Sequence, residues 1–169
     1  MFSCYIKLCM DKHEQALVLK FLHQFDAVFH RIMNKMAKLE KKPRYFGTDH
    51  LLYSSEIHTI EAIGHNSGIS VTELAALQGV TKGAVSQVIQ KLEKKELIIR
   101  MKNMHSDKQV FLKLSDVGNI AFKAHDNFHA KVFPELVDVI KNTDQETLDK
   151  MEDVLESIEK FCDKAIKES

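Results

Sequence analysis

GVTKGAVSQVIQKLEKK, residues 79–95, has two faces. Ala84, Val85, Val88, Ile89 and Leu92 recur at helical spacing and fall on one side. Lys82, Gly83, Ser86, Gln87 and Gln90 fall on the other. That second stripe holds amides, small residues and one cation, but no acid. A helix exposed only to water carries mixed charge, so a stripe of this kind points to a polar partner.

Working outward, Thr81 is placed to cap this helix, and Gly79 to end the one before it. The preceding segment, GISVTELAALQG (68–79), reads as a short helix with Ser70 or Thr72 near its start. SSEIHTIEAIGH (54–65) reads as another, capped by Ser54 or Ser55. Two short helices joined by a tight turn, the second with a polar stripe, form a helix-turn-helix pattern. After it, LIIRMK (97–102) and QVFLKLS (109–115) are rich in β-branched and aliphatic residues and flank the turn-forming NMHSD (103–107). This predicts a two-stranded β-hairpin, a wing beside the helix-turn-helix.

The flanks are helical. Residues 11–41 carry a wide apolar stripe through Val18, Phe21, Leu22, Phe25, Val28, Phe29, Ile32, Met33 and Met36, ending at the loop EKKPRYFGTDH (40–50). Residues 116–133 return to helix with Val117, Ile120, Ala121, Ala124 and Phe128 inward. Asp144 caps a last helix striped by Leu148, Met151, Leu155, Ile158, Cys162 and Ala165. The predicted fold is mainly α, a winged helix-turn-helix with long N- and C-terminal helices, all within one domain spanning 1–169. The terminal helices (11–41 and 116–169) bear more apolar surface than the 54–115 lobe can cover. They are expected to pair with each other and with a second copy, so a homodimer is expected.

With 44% apolar and 28% charged residues the chain reads as soluble and globular. Its net charge of zero excludes a protein that coats nucleic acid by bulk charge, but not one with a local patch. Charge is segregated along the chain. From Thr81 to Lys108 seven Lys/Arg stand against three Asp/Glu, a net of +4; from Lys141 to Ser169 five stand against nine, a net of −4. Three cysteines, Cys4, Cys9 and Cys162, imply no disulfide framework, so a reducing cytoplasm is the expected compartment. No apolar run reaches the length of a membrane span, and the start lacks the features of a signal peptide; Met10 is an alternative start to Met1. No Ser/His/Asp order, Gly-rich phosphate loop or CxxC pair supports an enzyme.

The run ISVTELAALQGVTKGAVSQVIQKLEKKELIIR, followed by a wing and LKLSDVG, resembles the MarR family of winged-helix transcriptional regulators. The likeness is strongest from Ser54 to Gly118. It implies a homodimer held by its terminal helices, whose two lobes bind a palindromic operator on double-stranded DNA. The usual role is that of a repressor, loosened by a small-molecule, metal or oxidant effector. Two positions depart from the pattern. Glu96 stands where the turn after the recognition helix is usually Gly. In the wing, Ser106 and Lys108 stand where an Asp-x-Arg signature is expected. The alternative to DNA binding is a winged-helix module that binds protein.

On this reading Gln87 and Gln90 suit adenine edges, and Lys82 reaches guanine or phosphate. Thr81 and Ser86 suit phosphate oxygens, and Gly83 lets the backbone come close. Arg100, Lys102, His105 and Lys108 are expected to hold the DNA backbone and adjacent minor groove. Among the nine histidines, His13, His23 and His65 are expected on the surface. His125 and His129 stand four apart on one helical face, a spacing suited to one metal ion such as zinc. With His58 they resemble the site of zinc-responsive members of the family. Glu40 is the candidate carboxylate, with Asp126 or Glu56 behind it. The same histidines also suit an anionic or phenolic ligand, or a pH response. Phe21, Phe25 and Phe29 are expected in the dimer core, with the lining of an apolar pocket as the alternative.

Overall fold

Short polar side chains start two of the three helices of the middle segment, and left-handed residues follow the ends of both. In the computed structural model, which describes residues 11–103, 106–132 and 134–168 (side chains of 102, 103, 106–109 and 132 excepted), seven helices and three strands follow one another. They are α1 Lys12–Glu40, α2 Ser54–His65, β1 Ile69–Ser70, α3 Val71–Leu77, α4 Lys82–Lys94, β2 Ile98–Asn103, β3 Ser106–Leu114, α5 Asp116–Val132, α6 Pro134–Lys141 and α7 Gln145–Lys167. The mainly helical winged-helix fold expected from the sequence is the fold observed. Among the described residues no helix is long and apolar enough to cross a membrane.

The caps are chemical. Ser70 Oγ accepts from Glu73 N–H and the Glu73 carboxylate accepts from Ser70 N–H, a reciprocal box that starts α3. These bonds hold the Glu73 carboxyl below its ordinary range. Gly79 (φ +62°) ends α3, and Thr81 Oγ1 accepts from Ala84 N–H to start α4. Asp144 caps α7 by accepting from Thr147 N–H. The start of α2 differs from expectation. Tyr53 precedes it, and the Glu56 carboxylate, not a serine, accepts the Tyr53 N–H at 2.9 Å.

β2 and β3 form the antiparallel wing, with Arg100 opposite Leu112 and Ile98 opposite Leu114. The sheet has a third strand that the sequence did not predict. Ile69 and Ser70 pair with Leu112 and Phe111, giving the order β1-β3-β2. Two residues carry no readable periodicity, so this pairing is set by tertiary contact. α6 is also additional, opening at Pro134, where a missing N–H costs nothing.

Contacts divide the chain into two compact units, Met1–Phe122 and Lys123–Ser169. The first holds the core: Leu52, Ile57, Ile60 and Ile63 meet Leu74, Val85, Ile89, Leu92, Leu97 and Leu112. α5 enters this core at Gly118 and at Ala121, which is buried as predicted, whereas Val117 and Ile120, also predicted inward, are exposed. The cause is Gly118, whose missing side chain lets α5 lie on the chain after α4. A Cβ there would stand 2.0 Å from the Leu97 carbonyl oxygen. Ser115 Oγ completes the junction by donating to the Glu96 carbonyl at 2.7 Å and accepting from Gly118 N–H at 3.0 Å.

Gly118→Ala therefore forces backbone apart. It is expected to cost about 3 kcal/mol, the upper end for overpacking, read as a lowered thermal midpoint. An unchanged midpoint would contradict the close approach.

Candidate nucleic-acid interface

α4 has one face in the core and one in solvent. Val85, Ile89 and Leu92 are buried and Val88 is half-buried. Thr81, Lys82, Gly83, Gln87 and Gln90 are exposed, and Ser86 is partly so. Ala84, predicted inward, is exposed; with His58, Thr59, Gln78, Val80 and Val88 it lines a groove of about 380 Å³ behind the helix. The acid-free stripe is thus a real, accessible surface, presented by a helix that the core holds in one rotation. The N-terminus of α4, at exposed Lys82 and Gly83, carries the positive end of the helix dipole.

The other end of α4 is held on two sides. Lys95, its C-cap, donates from Nζ to the Glu56 carboxylate at 2.7 Å and to the Leu51 carbonyl at 2.9 Å. Glu56 is 2% exposed, so this is a buried ion pair that fastens α4 to α2. It also commits both Glu56 oxygens, one to Lys95 and one to Tyr53 N–H. Glu93 accepts from Arg100 of β2 through a two-pronged fork, Nε at 2.6 Å and Nη2 at 2.9 Å. Between these pairs Glu96 takes the left-handed conformation (φ +57°) expected where a glycine is missing, a strain of about 1 kcal/mol. Sequence reading did not find either pair, although Glu93 and Arg100 lie only seven residues apart across a turn. The expected contacts His105, Lys102 and Lys108 lie outside the residues or side chains that are described.

Of the three metal candidates, His58 lies on α2, in the first unit. It shares a cleft of about 570 Å³ with Glu40, Lys41, Tyr53 and Ser55, so the expected carboxylate and this histidine do line one space. His125 and His129 lie on α5, in the second unit. Their Nε2 atoms stand 3.1 Å apart, with the rings edge to face. Two nitrogens on a tetrahedral zinc, at bonds of ~2.0–2.1 Å, stand about 3.3 Å apart. The pair therefore fits as two ligands of one ion with little adjustment.

Removing the Lys95 cation should be costly. Lys95→Met leaves the buried Glu56 unpaired and is expected to destabilise by about 3 kcal/mol. Lys94→Met, at an exposed neighbour, should change stability by less than about 0.5 kcal/mol. Equal midpoints for the two variants in thermal denaturation would contradict the pairing.

Comparison with known proteins agrees with this geometry. The family model described as MarR family matches residues 52–110, from the start of the core into the second strand of the wing. No curated protein matches by sequence. Among solved structures, FabT from Streptococcus pneumoniae, in complex with DNA, is 20% identical with a TM-score of 0.60, covering 87% of this chain and 98% of that one. MepR from S. aureus, also solved with DNA, is 18% identical with a TM-score of 0.57, covering 82% and 97%. ZitR from Lactococcus lactis, a zinc-responsive MarR family member, is 16% identical with a TM-score of 0.59, covering 83% and 97%. At these identities the structural likeness speaks to fold, and the family match names the lobe. Residues 52–110 match the MarR family model, and the chain as a whole shares the fold of these solved structures.

Proposed function

We propose that this protein is a homodimeric, sequence-specific DNA-binding transcription regulator, acting as a repressor on a palindromic operator. The observation that carries the reading is the exposed, acid-free polar stripe of α4, presented by a helix whose opposite face is buried. A major groove accepts such a helix and offers donors and acceptors to it. Gln87 and Gln90 donate and accept at once and read bases. Lys82, Thr81 and Ser86 meet phosphate, and the α4 N-terminus adds its dipole. Gly83 keeps the approach open: a Cβ there meets nothing nearer than Thr81 Oγ1 at 3.9 Å. Lys102 and Lys108 extend the contact from the wing.

The dimer rests on exposed apolar surface. α1 and α7 contain no buried residue, and carry such side chains as Phe21 (57% exposed) and Leu155 (63%). Phe21, Phe25 and Phe29 stack in a ladder along α1, with centroids 6.3 and 5.7 Å apart. Apolar area of this extent marks an interface, and a two-fold dimer is matched by a palindromic site.

For the effector, the 3.1 Å spacing of His125 and His129 favours a transition metal such as zinc. Bound zinc would supply a fixed cross-link between ligands, with no chemistry on DNA. The histidines' part is to offer two neutral nitrogens from one helix face.

Gln87→Ala is expected to weaken binding to DNA from the protein's own upstream region by about 1–3 kcal/mol while leaving affinity for random duplex nearly intact. Fluorescence anisotropy on both duplexes reads this, and equal loss on both would remove Gln87 from base reading. Zinc added to the purified protein should bind and change operator affinity, and His125→Ala/His129→Ala should abolish both effects. Retention of zinc by that variant would return the pair to a structural role.

A further inference from the structure

Arg100 is the one predicted wing contact whose side chain is described, and it is engaged. Its Nε and Nη2 both donate to Glu93, the penultimate residue of α4. Arg100 is the third residue of β2, opposite Leu112 on the central strand. The fork therefore closes a seven-residue span that leaves the helix, turns at left-handed Glu96 and enters the sheet.

A planar fork on a carboxylate fixes direction as well as distance. The side chains of Arg100 and Glu93 are 38% and 31% exposed, so solvent screening leaves the pair little worth in overall stability. Its geometric effect is larger. From the turn at Glu96 to the end of β2 at Asn103 the strand runs roughly 23 Å at its usual rise, so a swing of roughly 10° about the turn moves that end by roughly 4 Å. A displacement of that size separates a made phosphate hydrogen bond from a broken one. The helix side of the turn is already fixed to α2 by Lys95 and Glu56, and its carbonyl at Glu96 to Ser115. The Glu93–Arg100 fork is the matching restraint on the strand side.

We propose that Glu93 and Arg100 are positioning residues for DNA binding: their fork sets the wing at the angle to α4 that lets helix and wing engage one duplex together. Arg100 then acts through Glu93 and not by holding phosphate itself, which differs from the role expected from sequence. The inference rests on the DNA-binding reading above.

The two roles predict opposite signs. If Arg100 were a direct phosphate contact, Glu93→Arg would free it and add a second cation, so affinity would rise. If the fork positions the wing, Glu93→Arg weakens binding despite the added positive charge. The test measures binding of purified full-length protein to random-sequence and upstream duplexes by anisotropy, with thermal midpoints as control. Glu93→Arg and the milder Glu93→Gln are each expected to weaken both, the former by about tenfold. The exchanged pair Glu93→Arg/Arg100→Glu is expected to return affinity to within about threefold of wild type. Unchanged or tighter binding by Glu93→Gln, or failure of the exchanged pair to recover with its midpoint intact, would overturn the proposal. Failure of the DNA-binding reading is distinguishable, because the wild-type protein would then bind neither duplex.

Discussion

Burial of Val85, Ile89 and Leu92 commits one side of α4 to the core, and the rest of the molecule follows from that commitment. Once those three side chains sit against Ile57, Ile60, Ile63, Leu74 and Leu97, the helix has no rotational freedom. Lys82, Gly83, Gln87 and Gln90 must then face outward as a single stripe. Each such aliphatic side chain contributes about 1.5–3 kcal/mol by burial. The orientation of the stripe is thereby set by several times the energy of any one contact it makes. A surface that is to read a groove needs this, because base recognition depends on hydrogen bonds that tolerate only a few tenths of an ångström.

The end of α4 shows how a lobe of this size stays rigid around a strained turn. Glu96 adopts a conformation that suits glycine, and three fastenings offset the cost. Lys95 reaches α2 through Glu56 and the Leu51 carbonyl, Arg100 reaches back to Glu93, and Ser115 holds the Glu96 carbonyl. Gly118 brings α5 onto the same point. Helix 2, the recognition helix, the wing and the start of α5 thus meet within a few residues of one turn. A change of angle in any of them is felt by the others.

Much of this was readable in the sequence because it is local. Thr81, Ser70 and Asp144 cap within three residues, Gly79 ends a helix where its φ is needed, and the 3.6-residue period of α4 separates its two faces. His125 and His129 are likewise placed by helical spacing alone. What was not readable depends on distant partners. The cap of α2 came from Glu56 and not from Ser54 or Ser55, and Glu56 is held there by Lys95, 39 residues away. β1 is two residues long and exists only through its pairing with β3. Val117 and Ile120 of α5 were placed inward and lie exposed because Gly118, silent in any hydrophobic pattern, makes the closest approach. Arg100 was assigned by its charge and strand position, and its fork on Glu93 was a tertiary fact that a count of basic residues does not contain.

The central claim is that the exposed stripe of α4 and the basic wing meet the phosphate backbone and bases of duplex DNA. Its most direct test is the affinity of the wild-type protein for random-sequence duplex as a function of salt. Cations that neutralise phosphates release counterions, so log affinity should fall linearly with log salt, with a slope near −0.9 for each phosphate met. A slope equivalent to several phosphates is predicted. A slope near zero would contradict the account, and would turn the same polar stripe into a surface that binds protein.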